Sequence, residues 1–456
     1  MSAVASIERE LRAGVAADVV APTAQYLADE TEGRGIRGRA DAIALPKTAE
    51  EVAEVVTWCY EHDVPVVPRG GGTGYAAGAV PLDGGVVVAL AGLARVRSFD
   101  PPLWRMEVEA GVTTADVRRI ARESGLFFAP DPGAAEQSQI GGNVATNAGG
   151  PHAYKYGVTG AWVTGIEAVV PPGELIRVGG PLRKDVASYD LTALLVGSEG
   201  TLGVITSVWL QLTPAPEAAL PVVGFFDGVP AGCAAIARVI GSGLPVAAIE
   251  YLDSETMRYA GAGFPTEIPD GAFCVITEAD GSPDEALRVR EEVLEVLGED
   301  ARALHAPERP EEIAALWRWR DGVALRVDAQ RGGKASEDIA VPLDHLTEGI
   351  EESLAVGARL GLPACSWGHA GDGNLHSTYL FARDDPDAVA RATRVSEELF
   401  ALALRLGGTI SGEHGVGAVK TQWLARQLGP KASELHAGIK RTFDPQNLLN
   451  PGKKVP

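Results

Sequence analysis

The chain has 456 residues, 46% hydrophobic and 22% charged, a balance that excludes extended disorder and predicts two or three folded domains. Its net charge of -21 excludes nucleic acid or an anionic membrane surface as the main partner, because both select clustered Lys and Arg. Four scattered cysteines, Cys59, Cys233, Cys274 and Cys365, form no CxxC and are expected as buried free thiols of a reducing cytoplasm, not as a disulfide framework, a zinc ribbon or an iron-sulfur cluster.

Ile7, Leu11 and Val15 recur at helical spacing among charges, which predicts a surface helix and not a signal peptide. Thr48-Ala-Glu-Glu51 is a capping box that opens a helix through His62, and a buried strand is expected at 64–67. A strand at 105–109 precedes a helix capped near Thr113 and ended at Gly125. The Thr-Pro-Ala-Pro stretch at 213–216 marks a domain boundary. Strands near 221–226, 246–252 and 272–278 then alternate with helices near 231–241 and 284–297. Strands near 337–341 and 364–380 and a helix at 386–406 follow. That order predicts an α+β domain with a mainly antiparallel sheet, helices on one face and the other face available to cover a site. The expected plan is a first domain over 1–216, a second over 217–407, and a segment 408–456 that returns to the first. No segment approaches 18 uncharged apolar residues, so no transmembrane span is expected.

Three glycine-rich stretches fall in the first domain. Arg69-Gly-Gly-Gly-Thr-Gly74 follows a strand, where glycine lets backbone N–H groups approach phosphate oxygens. It lacks the lysine of a Walker loop and misses the GxGxxG spacing by one position. Ile140 to Gly150 and Gly197 to Ile205 are the second and third stretches. Together they suit an extended ligand touched along its length, as a dinucleotide would be.

Two segments in the second half carry histidines: His369 to His376, and Ser411 to Gly417. If Asp372-Gly373 centres a two-residue turn, cross-strand partners have numbers adding to 745, and His369 opposes His376. Opposed residues have Cβ atoms about 5 Å apart, near enough for two imidazoles to share a metal. Glu413 is then a candidate third ligand, which leaves His414 for proton transfer.

Pro68 to Gly74, Gly141 to Gly150, Lys155 to Val158 and Gly197 to Ile205 closely resemble the FAD-binding domain of the vanillyl-alcohol-oxidase-like flavoproteins. Gly368 to His376, Ser411 to Gly417 and Asn450 to Lys453 resemble the C-terminal part of the D-2-hydroxyacid branch, which includes glycolate oxidase catalytic subunits and D-lactate dehydrogenases. The resemblance runs from about residue 38 onward. It implies a vanillyl-alcohol-oxidase-type (PCMH) FAD-binding domain and a ferredoxin-like antiparallel-sheet substrate domain.

It also implies that Pro68, Arg69, Gly70, Gly71, Gly72, Thr73 and Gly74 hold the FAD pyrophosphate. Flavin and ribityl contacts are implied for Pro132, Gly141, Gly142, Asn143, Thr146, Asn147, Gly149 and Gly150, and for Gly157, Val158, Glu199, Gly203 and Ile205. Relatives with covalent flavin often carry a histidine near the first loop; Tyr75, Ala76 and Ala77 stand there, so dissociable FAD is expected. Gln139 and Ser188 depart from the family's usual Thr and Gly.

The implied reaction is FAD-dependent oxidation of a small D-2-hydroxy acid, D-lactate or glycolate in type, to the 2-oxo acid. His369, His376 and Glu413 would bind a divalent metal, zinc first with manganese or iron as alternatives, and His414 would be the base. Arg320 and Lys334 are the expected carboxylate clamp, with Arg318 competing at neighbouring spacing. Asn374 is either a substrate contact or a turn residue. The alternatives are a flavin-binding subunit of a multi-protein glycolate oxidase and a flavoprotein oxidase of another alcohol. An electron-accepting protein or quinone is the expected partner, a homodimer is compatible, and the expected location is cytoplasmic or peripheral at the inner membrane through a partner.

Overall fold

The computed structural model describes residues 3–382 and 384–455. It contains two compact units, one comprising Met1–Gly149, Val158–Ala215 and Glu413–Pro456, the other Gly150–Gly157 and Pro216–Gly412.

In the first unit, strands β1 (Asp18–Val20), β2 (Ala42–Leu45), β3 (Val66–Arg69) and β4 (Val86–Ala89) form a sheet in the order β1-β2-β4-β3. β2 and β3 run parallel to β4, while β1 is antiparallel to β2. Parallel strands are covered on both faces, which explains the unbroken apolar run Val86, Val87, Val88, all 0% exposed. Each such side chain contributes roughly 1.5–3 kcal/mol on burial. The helix Ala49–Glu61 leads into β3. Thr48 caps it by accepting from Glu51 N at 3.1 Å, an interaction of about 1 kcal/mol, while Glu51 accepts from Lys47 N at 2.6 Å. β3 begins two residues later than expected and so delivers Arg69 directly into the glycine loop.

A second sheet comprises β5 (Val96–Asp100), β6 (Arg105–Glu109), β8 (Val163–Val170), β9 (Glu174–Gly179) and β10 (Val204–Gln211), antiparallel in the order β5-β6-β10-β8-β9. The two-residue strands β7 (Leu126–Phe127) and β11 (Thr213–Pro214) pair separately. The tail lies beside β3: Val66 N donates to Leu448 O at 2.8 Å and Asn450 N to Val66 O at 2.7 Å.

The second unit has one seven-stranded sheet with every pairing antiparallel. Its strands are β12 (Ala218–Phe226), β13 (Val246–Leu252), β14 (Phe273–Gly281), β15 (Ala303–His305), β16 (Gly333–Ala340), β17 (Ala364–His369) and β18 (Asn374–Phe381). Their order is β15-β12-β14-β13-β17-β18-β16. The expectation of helices on one face is corrected, because alternate strand residues bury against helices on both. Gly224 approaches Leu297 of the helix Pro283–Gly298. Val223 and Phe225 instead share a core with Leu316, Trp319 and Val323 of the helices Pro310–Asp321 and Val323–Asp328. All four cysteines are buried and free.

Candidate active site

In the first unit the three glycine stretches converge. Gly70 approaches Gly142, and Gly200 packs on the Pro68 ring. Gly197 N donates to Val144 O at 2.9 Å and Glu199 N to Ala145 O at 2.7 Å. Gly71 tolerates no side chain, since a Cβ there would lie 2.1 Å from Gln137 O. A Cβ at Gly142, by contrast, would meet no atom within 4 Å, so this backbone is bare on that side. Gln139 Oε1 and Ser198 Oγ are buried beside these stretches with no partner among the described residues. Bare backbone and unpaired polar atoms suit a large polar ligand, and the residues fit FAD on that ground.

Most polar side chains among the expected cofactor residues are committed to the protein itself. Arg69 donates to Gln25 O at 2.6 Å, with its guanidinium 5.9 Å from the Tyr26 ring. Asn143 donates to Thr114 Oγ1 at 2.6 Å, Thr146 to Gly142 O at 3.1 Å, and Asn147, at φ 54°, accepts from Gly160 N at 2.8 Å. Glu199 accepts from Val416 N and Gly417 N at 2.8 and 2.6 Å, tying the third glycine stretch to the His414 loop. Gly203 packs against Val170 and Leu195, Ile205 is buried in β10, and Pro132 is half-buried in a loop. Gly150 and Gly157 bracket the short arm that belongs to the second unit, and Val158 resumes the first.

The tail closes this region. Lys453 Nζ donates to Gly78 O, Val80 O and Asn450 Oδ1 at 3.0, 2.6 and 2.7 Å, and Asn450 Nδ2 reaches Gly78 O and Glu199 O at 3.0 and 2.8 Å. Burial pulls the Lys453 ammonium down to about 7 against the attraction of Asp29, Glu199 and Asp83. His414 stacks on Tyr75 with ring centroids 4.7 Å apart, and its Nε2 is 3.8 Å from Glu413 Oε1. Tyr75 has no motif of its own; only its position one residue beyond the first loop singles it out.

In the second unit the hairpin differs from expectation. Trp367, not His369, opposes His376, so β17–β18 partners add to 743. The turn is a short helical one over Ala370–Asp372, closed by Gly373 at φ 67°. The two histidines are therefore diagonal neighbours on one face, still within reach of each other. Their Nε2 atoms are 3.4 Å apart and both residues are buried.

Sequence reasoning missed Glu250. It stands opposite His369 in the β13–β17 register, is 0% exposed, and accepts from His369 Nδ1 at 2.6 Å and Arg320 Nη2 at 2.5 Å. Burial would raise its carboxyl; the interactions with His369 and Arg320 overcome this and hold it below its ordinary value. Nothing local marks it, since its partners lie 119 and 70 residues away. Arg320 is 7% exposed whereas Arg318 faces solvent, and Arg320 Nε has no partner among the described residues. Lys334 Nζ donates to Ala324 O at 3.3 Å. Asn374 is buried at the start of β18, its amide donating to Asp338 Oδ1 and Ile339 O at 2.6 and 2.9 Å. Asp338, also missed, accepts in addition from Ser411 Oγ at 2.8 Å.

The arm 150–157 is fastened to β14 by two more carboxylates that sequence reasoning overlooked. Glu278 pairs with His152 at 2.8 Å and accepts from Trp317 Nε1 at 2.6 Å. Asp280 engages Lys155 and, at 2.5 Å, the Tyr156 hydroxyl.

Two family descriptions match the chain: "FAD binding domain" over residues 40–179 and "FAD linked oxidases, C-terminal domain" over residues 215–454. A glycolate oxidase subunit GlcD of Bacillus subtilis is 35% identical over 91% of this chain and 88% of its own length. A D-lactate dehydrogenase of Anaerostipes hadrus is 32% identical over 91% and 90%. A crystal structure of p-cresol methylhydroxylase with substrate bound shares the fold at TM-score 0.77 and 18% identity, over 98% of this chain and 96% of that one. With bare glycine backbone and unpaired polar atoms where a dinucleotide would lie, and matches along most of its length, the chain belongs to the FAD-linked oxidases and is an FAD-binding oxidoreductase with a vanillyl-alcohol-oxidase-type fold.

Proposed function

We propose that this oxidoreductase converts a small D-2-hydroxy acid, of the D-lactate or glycolate type, to the 2-oxo acid, with dissociable FAD and a divalent metal. The observation that carries the reading is the juxtaposition in the second unit of two buried imidazole nitrogens 3.4 Å apart and a buried arginine whose Nε is unused among the described residues. Two nitrogens facing each other at that distance suit a shared cation, and a buried guanidinium suits a carboxylate.

His369, His376 and Glu413 would hold the metal, zinc first, with manganese or iron able to take the same donor set. The chemistry these groups would supply when bound is hydride acceptance from the substrate Cα by FAD and acidification of the substrate hydroxyl by the cation. Arg320 and Lys334 bind the carboxylate and fix which hydrogen leaves Cα. Asn374 orients the substrate through its Oδ1, which has no partner among the described residues. The His414 imidazole takes the hydroxyl proton, and its stacking on Tyr75 sets the ring plane. The relatives named as glycolate oxidase subunits support a partner protein, and the proposed onward electron acceptor is such a protein or a quinone. Among the described residues no helix is long and apolar enough to cross a membrane, which is compatible with a cytoplasmic location, with any membrane contact made through that partner.

The test is anaerobic mixing of FAD-loaded protein with D-lactate, L-lactate and glycolate, with and without a chelator. Bleaching of the flavin by D-lactate or glycolate, absent with L-lactate and slowed after chelation, is the expected result. No bleaching by any of a broad set of D-2-hydroxy acids, with FAD occupancy verified, sinks the proposal.

A further inference from the structure

Glu250 is a costly residue. A carboxylate with no solvent exposure forfeits its hydration, and a well-packed apolar residue of similar size would spare that cost. Its two oxygens are divided between two functions: Oε1 takes His369 and Oε2 takes Arg320. We infer that Glu250 is a positioning residue that fixes both the metal-binding face of His369 and the carboxylate-binding reach of Arg320, an inference that rests on the function proposed above.

A carboxylate accepts and does not donate, so the hydrogen bond at 2.6 Å places a proton on His369 Nδ1. That leaves Nε2 as the coordinating nitrogen, the atom that faces His376 Nε2. Outer carboxylates that select the tautomer of a ligating histidine typically alter metal affinity about 10–100-fold when removed. At the arginine, one Nη is held while Nε remains unpartnered among the described residues, so the guanidinium is restrained along one edge and open along another. Glu250 thus sets the spacing between the cation and the carboxylate anchor, the two points at which a 2-hydroxy acid would be gripped.

Glu250→Gln is nearly isosteric, yet an amide can satisfy only one of the two donors and turns its own N–H toward the other. On the FAD-loaded full chain, zinc retention against a competing chelator should weaken about 10–100-fold and KM for the hydroxy acid should rise about tenfold or more. Glu250→Asp, which keeps the charge, should fall between this variant and the parent. Asp253→Asn supplies the structural control. Asp253, just past the end of the strand that carries Glu250, is a buried carboxylate that caps the helix Ser254–Ala260 by accepting from Thr256 N at 2.7 Å. Its loss should lower thermal stability while zinc retention and KM stay within about twofold.

In the metal-free parent, histidine nitrogen NMR should show His369 protonated at Nδ1; an Nε2–H tautomer overturns the inference without requiring any variant to fold. Unchanged zinc retention and KM in Glu250→Gln overturn it as well. A parent chain that binds no zinc and oxidises no hydroxy acid overturns the proposed function itself and this inference with it. A parent that does both beside an unaltered variant overturns the inference alone.

Discussion

The two units solve opposite problems with opposite materials. Around the glycine stretches the working surface is backbone, and Arg69, Asn143, Asn147 and Glu199 spend their side chains holding that backbone in shape. Around the histidines the proposed working surface is side chain, and what holds His369 and Arg320 is a buried carboxylate on a neighbouring strand. The difference teaches where substitutions should hurt. The first region fails when an atom is added, the second when one is removed.

The largest expected effect comes from breaking only the second region. His369→Ala should abolish turnover, a loss of at least about a hundredfold in kcat/KM, while bound FAD measured by flavin absorbance stays near stoichiometric. Joint loss of flavin and activity would show that the histidine hairpin is a folding element and would erase the contrast. The converse is Gly71→Val, which forces side-chain atoms onto Gln137 O. It should release FAD on gel filtration yet leave zinc retention close to that of the parent. Retention of FAD by this variant would mean that the loop can relax and that steric bareness is not its purpose.

A subtler effect is expected from Lys453. Its pKa in the folded chain is about 7, against about 10.4 for an unfolded lysine. Between those values the unfolded chain binds the extra proton and the folded one does not, so this group makes stability rise with pH across that window and fall as pH drops toward 7. Lys453→Met should flatten that slope in denaturant titrations from pH 7 to 10; an unchanged slope would assign it to another group. The smallest effect is expected at Arg318, which is exposed where Arg320 is buried. Arg318→Ala should shift KM less than about twofold, and a larger shift would mean that the two arginines share the substrate.

The glycine stretches were legible because their constraint is local. A position such as Gly71, where no Cβ fits, announces itself as glycine. The cap of the helix Ala49–Glu61 and the span of β6 were legible for the same reason. The histidine hairpin was legible in its outcome and wrong in its register. Moving the partners from a sum of 745 to 743 is a slip of two residues, which keeps every side chain on its face, so the imidazoles still meet. A turn of different length hid that slip, because Asp372-Gly373 looked like a two-residue loop and is part of a longer one. Glu250, Asp338, Glu278 and Asp280 were not legible. Each sits in an ordinary strand and gains meaning only from a partner brought near by sheet pairing. The second layer of helices on the large sheet escaped notice because both faces of its strands are apolar, and a continuous apolar run does not say which layer covers which side.

The tail beside β3 has a consequence for the order in which the molecule is made. The first unit is assembled from three separate pieces, and its first sheet waits for Leu448 to Asn450 to pair with Val66. The second unit, apart from its 150–157 arm, is one uninterrupted stretch ending at Gly412. On a ribosome that stretch emerges before the tail does, so the histidine-bearing unit can begin to fold while the nucleotide-binding unit still lacks its last strand partner and the lysine that gathers Gly78 and Val80. Flavin loading is therefore a late event in the life of each chain. Nascent chains arrested before Asn450 should resist protease across 216–412 and capture no FAD.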